Sequence, residues 1–417
     1  MKKRALALIL CLVLVATVLV SCGETDYDKS KEYVKTHQPT PEKSYVTLNL
    51  YIPADGNIDD TTVKAMQTEF NKVIEPKYRT RVAFHLIDAT DTVNSYRDLI
   101  AGKAQIAKER ADAGVKDITT PALGDKFPSE GESQFDIFVA LDLDMVRNMI
   151  DSGYVTELTG DLTGKYQSIL KNVTREDISI TPAIYNNATV DGKYYGVPSN
   201  FLIGNYTYEV YERAFFERYY AGGIIGEDHV ASGVTAEELQ YLVSEPEYNE
   251  KHITVNAADT GHRVTYATRY EIGDMDVVRS WDNYVIVVSG EPILDYTELF
   301  RGMFCISSTC ANKDRALEVI AEIYTNAALH TTLQYGARDL TYTLAEDENG
   351  NKIVTPIADA PLYRINTRYT GNILTLYPTT SASIGTECGF TDYAIGLQFA
   401  RNAILQNKAA KYTAPAN

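Results

Sequence analysis

Side chains that commonly do chemistry are plentiful in this sequence, but their spacing does not match a catalytic motif. The six histidines are scattered, with no metal-ligand spacing among them. The sequence has no G-x-S-x-G nucleophile elbow, no H-E-x-x-H zinc helix and no G-x-x-x-x-G-K-S/T phosphate loop. Carboxylate pairs such as Asp142 and Asp144 arise easily by chance among 56 acidic residues. We therefore predict no catalytic residues, no metal site and no cofactor.

One cysteine, Cys22, has a context that does indicate chemistry. Residues 1–4 (MKKR) are basic, and residues 5–20 form an apolar run of about 16 residues. This run is short for a membrane-spanning helix, which needs roughly 20 residues, and typical of a signal peptide. It ends in 19–22 (LVSC), which resembles the bacterial lipobox, whose cysteine receives a diacylglyceryl group. We predict a signal peptide at 1–21 and lipidation of Cys22; an uncleaved anchor helix and a plain secretory signal are the alternatives.

The other cysteines do not suggest a disulfide framework. Cys11 belongs to the leader, and the three that remain are too few and too far apart for a cysteine-rich scaffold. Cys305 lies in an apolar run, which predicts burial as a small hydrophobic side chain. A bridge between Cys310 and Cys388 stays open as an alternative to two free thiols.

The charge of the chain limits its partners. The formal net charge is -17, and residues 1–21 carry three basic and no acidic side chains, so their removal leaves -20. Such a surface repels nucleic-acid phosphates and anionic headgroups, which argues against nucleic acid as a partner. Attachment to a membrane would therefore depend on a hydrophobic group, and acyl chains contribute about 0.8 kcal/mol per buried CH2.

The aromatic composition is unusual, with 30 tyrosines and the single tryptophan Trp281. Tyrosine combines a flat apolar face with a polar rim, which suits the C–H face and the hydroxyls of a sugar. The alternative for any one tyrosine is simple packing at a half-buried strand position.

Strand and helix patterns alternate in the first third of the chain. Apolar alternation predicts a strand at 46–52, and Asp59 and Asp60 can cap the helix that follows. The alternation continues with a strand at 81–87, a helix at about 92–111 and a strand at 135–141. This order favours a parallel sheet covered by helices. Ligands of such sheets bind beyond the carboxyl ends of the strands, so the loops after Ile52 and Leu141 are the first candidates.

Ordered patterns return near residue 300. Residues 303–307 read as a strand, and Asn312 is expected to cap a helical region that stops at Gly336. Asn349 and Gly350 are a strong hairpin signal. The two strands of the hairpin are predicted at 341–344 and 352–355.

Several short stretches follow the lipobox in an order that one protein family shares. They are 134–138 (QFDIF), 149–159 (MIDSGYVTELT), 191–198 (DGKYYGVP), 303–307 (MFCIS), 314–318 (DRALE), 333–336 (LQYG) and 370–372 (TGN). On these residues the chain resembles the extracellular solute-binding proteins of bacterial ABC importers, in particular Gram-positive lipoproteins assigned to carbohydrate uptake. Two features depart from the family pattern: the stretch between 198 and 303 is shorter, and 335–339 (YGARD) replaces the commoner Y-G-I-E-G.

The resemblance implies an α/β, two-lobed, periplasmic-binding-protein-like fold of type II, in which each lobe is a β-sheet flanked by helices and crossing strands join the lobes. The implied organisation is a signal peptide at 1–21, a flexible tether at 22–45, lobe I at 46–200 and 300–338, and lobe II at 201–299 and 339–417. Hinges are expected near 197–205 and 338–341. The ligand would sit between the lobes, which close over it.

The position of each candidate ligand contact follows from this architecture. Asp55 and Asp142 are placed on the strand-end loops, Asn200 and Tyr206 at the crossing, and Trp281 in lobe II. Carboxylates and amides would bind sugar hydroxyls through hydrogen bonds, and the aromatic rings would stack on the sugar.

The resemblance implies a monomeric, lipid-anchored solute-binding protein on the extracytoplasmic face of the cell membrane. It would capture a sugar or oligosaccharide and deliver it to an ABC permease without changing it. Its partners would be the solute, the permease and the lipid bilayer through acylated Cys22, with no nucleic acid. The alternatives are a receptor for a peptide or other nutrient, a surface-anchored hydrolase, and a lipoprotein with an adhesive or structural role.

Overall fold

The structure is a computed structural model of the chain. It describes residues 44–91, 95–115, 119–158, 187–200, 205–212, 224–225, 230–232, 267–271, 284–348, 350, 352–361, 363–372, 375–377 and 404–406. The predicted lipidation site Cys22, the tether up to residue 43 and Trp281 lie outside these ranges. Within the described ranges, no helix has both the length and the apolar character needed to cross a bilayer.

The first sheet is built from strands that alternate with helices along the chain. The elements are β1 (Val46–Ala54), α1 (Asp60–Tyr78), β2 (Thr80–Asp88), α2 (Tyr96–Asp112), β3 (Ile137–Val139), α3 (Leu143–Asp151), β4 (Gly196–Val197) and, from later in the chain, β10 (Phe304–Ile306). Their order across the sheet is β2-β1-β3-β10-β4. β1 runs parallel to β2 and to β3, whereas β10 is antiparallel to both β3 and β4. The predicted strand–helix–strand–helix–strand order and its parallel sheet are confirmed.

The core lies on both faces of this sheet. All nine residues of β1 are buried, as expected for a central strand covered by helices on each side. On one face, Met66, Phe70 and Ile74 of α1 are fully buried and belong to this core. Their spacing of four residues places them on one side of the helix. Burying each of these side chains stabilises the fold by roughly 1.5–3 kcal/mol.

The predicted cap of α1 is confirmed at Asp59. Its carboxylate accepts a hydrogen bond from the Thr62 backbone N–H at 3.0 Å and another from the Thr62 hydroxyl at 2.6 Å. These bonds lower the pKa of Asp59. Such a cap stabilises the start of the helix, because it satisfies an amide that has no partner within the helix.

The helical region predicted between Asn312 and Gly336 is two helices, α4 (Lys313–Thr325) and α5 (Ala327–Tyr335). They separate at Asn326, whose extended backbone (φ -109°, ψ 108°) breaks the helix and whose side chain caps α5. The expected cap by Asn312 is wrong: within the described residues its side chain makes no hydrogen bond to the first turn of α4. The stop at Gly336 is confirmed, with φ 89° and an N–H that donates to the Thr332 carbonyl.

The hairpin predicted around Asn349 and Gly350 is confirmed. Strands β11 (Tyr342–Glu346) and β12 (Lys352–Pro356) pair in antiparallel register, from Tyr342 opposite Pro356 to Glu346 opposite Lys352. Gly350 has φ 79° and its N–H donates to the Asp347 carbonyl at 3.0 Å. The turn therefore needs the positive φ that glycine supplies.

A second sheet contains β5 (Asn205–Glu212), β6 (Ile224–Ile225), β7 (Val230–Ser232), β8 (Ala267–Glu271), β9 (Tyr284–Asp295) and β13 (Ile404–Gln406). The strand order is β6-β7-β9-β5-β8, with β13 beside β9. The chain passes from the first sheet to the second between β4 and β5, and returns between β9 and β10 through the 3₁₀ helix Tyr296–Phe300. Two sheets joined by two passages agree with the two-lobed architecture predicted from the sequence.

Residues 363–372 and 375–376, placed by the sequence boundaries in lobe II, make buried contacts with elements of lobe I. Ile365, Thr370 and Asn372 are 0–3% exposed. The Tyr363 hydroxyl donates to the Leu333 carbonyl at 2.7 Å. The Tyr363 hydrogen bond therefore ties this part of the segment to α5.

Candidate functional site

The loops that follow β1, β2, β3 and β4 meet at one end of the first sheet, which we call the carboxyl edge. β4 ends at the same side as β3 because β10 is antiparallel to both, and backbone hydrogen bonds tie the ends of β1, β2 and β3 to their neighbours. The Ala89 N–H donates to the Ala54 carbonyl at 2.8 Å, the Asp55 N–H to the Arg364 carbonyl at 2.9 Å, and the Gly302 N–H to the Ala140 carbonyl at 2.8 Å. The edge collects polar groups from segments far apart in the sequence, as the parallel register requires.

Asp55 and its neighbour Asp88 present carboxylates after β1 and β2. Asp55 is exposed and is fixed through its backbone. Asp88, which the sequence analysis missed, accepts hydrogen bonds from the Thr90 hydroxyl at 2.6 Å, the Thr90 N–H at 2.8 Å and the Gly56 N–H at 3.2 Å. The Thr90 contacts are the main cause of the lowered pKa of Asp88. Asp88 is thus a charged acceptor held in a fixed orientation.

Asp142 follows β3 and has two partners. Its Oδ1 accepts from the Met145 N–H at 2.8 Å, so it caps α3, and its Oδ2 forms an ion pair with Arg97 of α2. The two side chains keep 42% and 35% of their surface exposed. A partly open guanidinium–carboxylate pair offers adjacent hydrogen-bond donors and acceptors to a polar ligand.

Asn200 is held at the crossing in a buried polar group that we call the crossing cluster. Its members are Asn200, Tyr324, His330, Thr370 and Asn372. Asn200 Nδ2 donates to Asn372 Oδ1 at 2.8 Å, and Asn372 Nδ2 donates to the Tyr324 carbonyl at 3.0 Å. Asn200 is 3% exposed, so its amide serves the junction between β4 and residues 370–372 in this structure.

His330 lies deeper in the same cluster. Its Nδ1 is 3.0 Å from Thr375 Oγ1 and its Nε2 is 2.8 Å from Thr370 Oγ1. Burial lowers the pKa of His330 to about 3, because no solvent stabilises the charged ring. The imidazole is therefore a neutral structural group, with both nitrogens bonded to hydroxyls.

A second ion pair lies near the carboxyl edge. Arg368 pairs with Glu298, and Arg301 lies 3.9 Å from the same carboxylate. Gly302 permits this packing because a Cβ at that position would lie 2.0 Å from the Arg368 carbonyl oxygen. The chain that returns from the second sheet therefore packs directly, at Gly302, against the segment that contains Arg368.

The structure thus brings Asp55, Asp142 and Asn200 to the same edge. Tyr206 is the second residue of β5, directly after the crossing, and is placed by its backbone alone. Trp281 and Cys22 lie outside the described residues. Ligand contact by any of these residues stays a prediction. The spacing of the sequence gives no signal for Asp88 or Arg97, since their neighbours at the edge lie about 30 to 50 residues away.

The two cysteines that the structure describes are both buried. Cys305 is buried as predicted, and both Cys305 and Cys310 are free thiols whose pKa is raised by burial. Cys388, the partner considered for Cys310, lies outside the described residues. Among the described histidines, cysteines and carboxylates, no group of three is placed to hold a metal ion.

No family model and no curated protein matches the chain. Among solved structures, the N-glycan transport solute binding protein from Streptococcus pneumoniae is similar, with a TM-score of 0.51, 15% identity, and coverage of 87% of this chain and 84% of that one. The same protein in complex with Man1GlcNAc gives a TM-score of 0.48, 15% identity and coverage of 86% and 84%. The first of these likenesses confirms the predicted fold class: this chain has the two-lobed α/β fold of a solute-binding protein.

Proposed function

We propose that this protein is a lipid-anchored, extracytoplasmic receptor that captures a sugar or oligosaccharide and delivers it to an ABC permease. The observation that carries the proposal is the carboxyl edge, where Asp55, Asp88 and the Arg97–Asp142 pair lie together in the fold of a solute-binding protein. The similar protein transports an N-glycan according to its name, which supports a carbohydrate solute.

The chemistry of the edge suits hydroxyls better than a charged group. Arg97 and Asp142 neutralise each other, and Arg368 and Glu298 do the same nearby. A neutral ligand can exchange hydrogen bonds with such pairs without breaking them. At this edge Asp88 is bonded to Thr90 and the Gly56 N–H, and Asp142 is engaged by Arg97 and the Met145 N–H, so we propose that these carboxylates bind hydroxyls without turnover.

The test is a binding titration with the chain from residue 23 onward. The probes are an N-glycan fragment of mannose and N-acetylglucosamine, a set of plant and bacterial oligosaccharides, and mixed tripeptides. We expect saturable calorimetric binding of one sugar class and recovery of that sugar unchanged. Binding of tripeptides alone would overturn the sugar, and release of a cleaved product would overturn the receptor.

Two variants test whether the ligand binds at the carboxyl edge. Asp55→Ala and Arg97→Ala should each weaken sugar binding by roughly 10- to 100-fold, the loss of a hydrogen bond that involves a charged group. Asp112→Ala, at the other end of α2 from Arg97, is the matched control and should bind as tightly as the unaltered chain. Equal affinity of all three variants would remove the carboxyl edge from the proposal.

Lipid anchoring is tested separately in a Gram-positive host fed with labelled palmitate. The full chain should incorporate the label and stay with the membrane fraction. The Cys22→Ala variant should lose the label. Label retained by that variant would contradict lipidation at Cys22 and leave the binding proposal untouched.

A further inference from the structure

A cavity of about 520 Å³ lies at the opposite end of the first sheet, where β1 and β3 begin. We call it the amino-edge pocket. It is lined by Thr47 of β1, Arg110 of α2, Gln134 and Asp136 before β3, and Asn312 before α4. β1 has nine residues at about 3.3 Å each, so roughly 26 Å separates this pocket from the carboxyl edge. The two sites are therefore physically distinct.

The floor of the pocket contains a buried carboxylate. Asp136 is 3% exposed, and its Oδ2 accepts hydrogen bonds from the Asn49 N–H at 2.9 Å and from Gln134 Nε2 at 2.6 Å. The thiol of Cys310 also bonds to it. Burial raises the pKa of Asp136. A carboxylate so far from solvent is costly unless polar groups surround it, and the cavity provides room for one more.

Hydrogen-bond donors line two walls of the pocket. Arg110 projects from the last turn of α2, and its Nη1 lies 3.5 Å from the exposed carboxylate of Glu132. On the other wall lie Thr309 and Asn312, whose polar side chains can both donate and accept hydrogen bonds.

We propose that the amino-edge pocket is a second binding site, for one neutral, hydroxyl-rich molecule the size of a monosaccharide. Its volume falls within the range of about 300–1,000 Å³ found for small-molecule sites. Glu132 and Asp136 repel an anion despite Arg110, and Asp136 already accepts hydrogen bonds from Asn49 and Gln134, so a ligand with a net charge of either sign gains little. Hydroxyls both donate and accept, which matches a carboxylate below and donors at the sides. The methyl groups of Ala107 and Ala111 supply an apolar wall for the C–H face.

The experiment reads the pocket through alanine methyl groups. The chain from residue 23 onward is labelled with ¹³C at alanine methyls and titrated with glucose, N-acetylglucosamine and myo-inositol at millimolar concentration. Ala107 and Ala311 report on the pocket, and Ala54 and Ala140 report on the carboxyl edge. We expect saturable shifts of the Ala107 and Ala311 signals with at least one of these neutral probes.

Two tryptophan variants localise the response. Ala111→Trp fills the rim of the pocket and should weaken the response at Ala107 and Ala311 at least tenfold. Lys103→Trp adds the same bulk at an exposed position of α2 outside the pocket, and the response at Ala107 and Ala311 should not change. Because Ala111 is exposed in the last helical turn, the variant is expected to fold, and its amide spectrum verifies this.

Three results would overturn the second site. One is no saturable shift at Ala107 and Ala311 with any neutral probe. Another is equal affinity of the Ala111→Trp variant and the unaltered chain. The third is tighter binding of the charged analogues glucuronate or glucosamine than of their neutral counterparts. None of these results bears on sugar binding at the carboxyl edge, which the Ala54 and Ala140 signals follow independently.

Discussion

The crossing cluster and the carboxyl edge are adjacent, and both are polar, yet their side chains are used in opposite ways. In the crossing cluster, Asn200, His330 and Asn372 are 0–3% exposed, and their polar atoms bond to one another and to neighbouring hydroxyls and carbonyls. At the carboxyl edge, Asp55 is exposed, and Arg97 and Asp142 keep more than a third of their side-chain surface in solvent.

The crossing cluster is therefore expected to contribute mainly to stability, and the carboxyl edge mainly to the proposed ligand binding. A buried polar group must keep its partners, because an unsatisfied donor or acceptor costs about 1–3 kcal/mol. An exposed pair contributes only about 0–1 kcal/mol to stability, since water replaces its bonds. Variants of the crossing cluster should therefore unfold more easily, and variants of the carboxyl edge should bind less tightly. Substitutions at four positions test this difference between the two regions, in order of decreasing effect on the free energy of unfolding.

The largest effect is expected for Asn372→Ala. The substitution removes the acceptor of Asn200 Nδ2 and the donor to the Tyr324 carbonyl, in a site with no access to solvent. We expect the free energy of unfolding to fall by about 2–4 kcal/mol, measured by urea denaturation. A loss below about 0.5 kcal/mol would show that the cluster does not hold the junction together.

The second effect depends on pH and on His330. Its folded pKa of about 3 lies below the unfolded value of about 6.5, so between these values only the unfolded chain takes up the proton. Stability should therefore fall as the pH is lowered, by roughly 1.5 kcal/mol between pH 6.5 and 5. His330→Gln keeps polar atoms near both threonines and should flatten this part of the pH dependence. Comparing the His330→Gln variant with the unaltered chain cancels the pH dependence that Asp136 contributes to the stability of both. An identical pH slope of stability in the two chains would contradict a buried neutral imidazole.

A smaller loss is expected for Asp142→Ala. The variant removes the cap of α3 and a half-exposed ion pair, which together contribute about 1 kcal/mol. Thermal denaturation measures the loss, and Asp142→Asn is the control because an amide oxygen can still cap the helix. Sugar affinity should fall in both variants, since both remove the carboxylate that faces Arg97. Unchanged affinity would place the ligand elsewhere.

The smallest effect on stability is expected for Asp55→Ala. The side chain is exposed, and the backbone N–H that bonds to the Arg364 carbonyl is retained. Unfolding free energy should stay within about 0.5 kcal/mol of the unaltered chain, the usual range for surface positions, although sugar binding weakens. A variant that lost stability as well would show that Asp55 belongs structurally with the crossing cluster.

Local patterns predicted much of the first sheet. The apolar alternation of β1 and the cap of α1 at Asp59 are properties of short segments, and both are found where predicted. The hairpin at Gly350 also follows from two adjacent residues. The break at Asn326 was missed because the residues on either side read equally well as helix.

Contacts between distant segments could not be predicted in this way. Asp136 bonds to the Asn49 N–H, 87 residues earlier, and Arg97 pairs with Asp142, 45 residues later. The sequence singled out Thr370, Gly371 and Asn372 as a motif, but only the fold shows that they fasten the crossing. The ordered motifs identified the architecture because several of their residues hold the two passages of the chain in place.

The position of β10 has a consequence for how the chain acquires its structure. This strand lies between β3 and β4 in the first sheet, yet it follows both in the sequence by more than 100 residues, after the whole stretch that supplies β5 to β9. During folding, β3 and β4 cannot pair with Phe304–Ile306 until that segment has been synthesised, and until then β3 presents an unpaired edge to the solvent. The first sheet is therefore completed late, by a contact between segments that are distant in the sequence. This topology favours slow folding and exposes an aggregation-prone strand edge in the meantime.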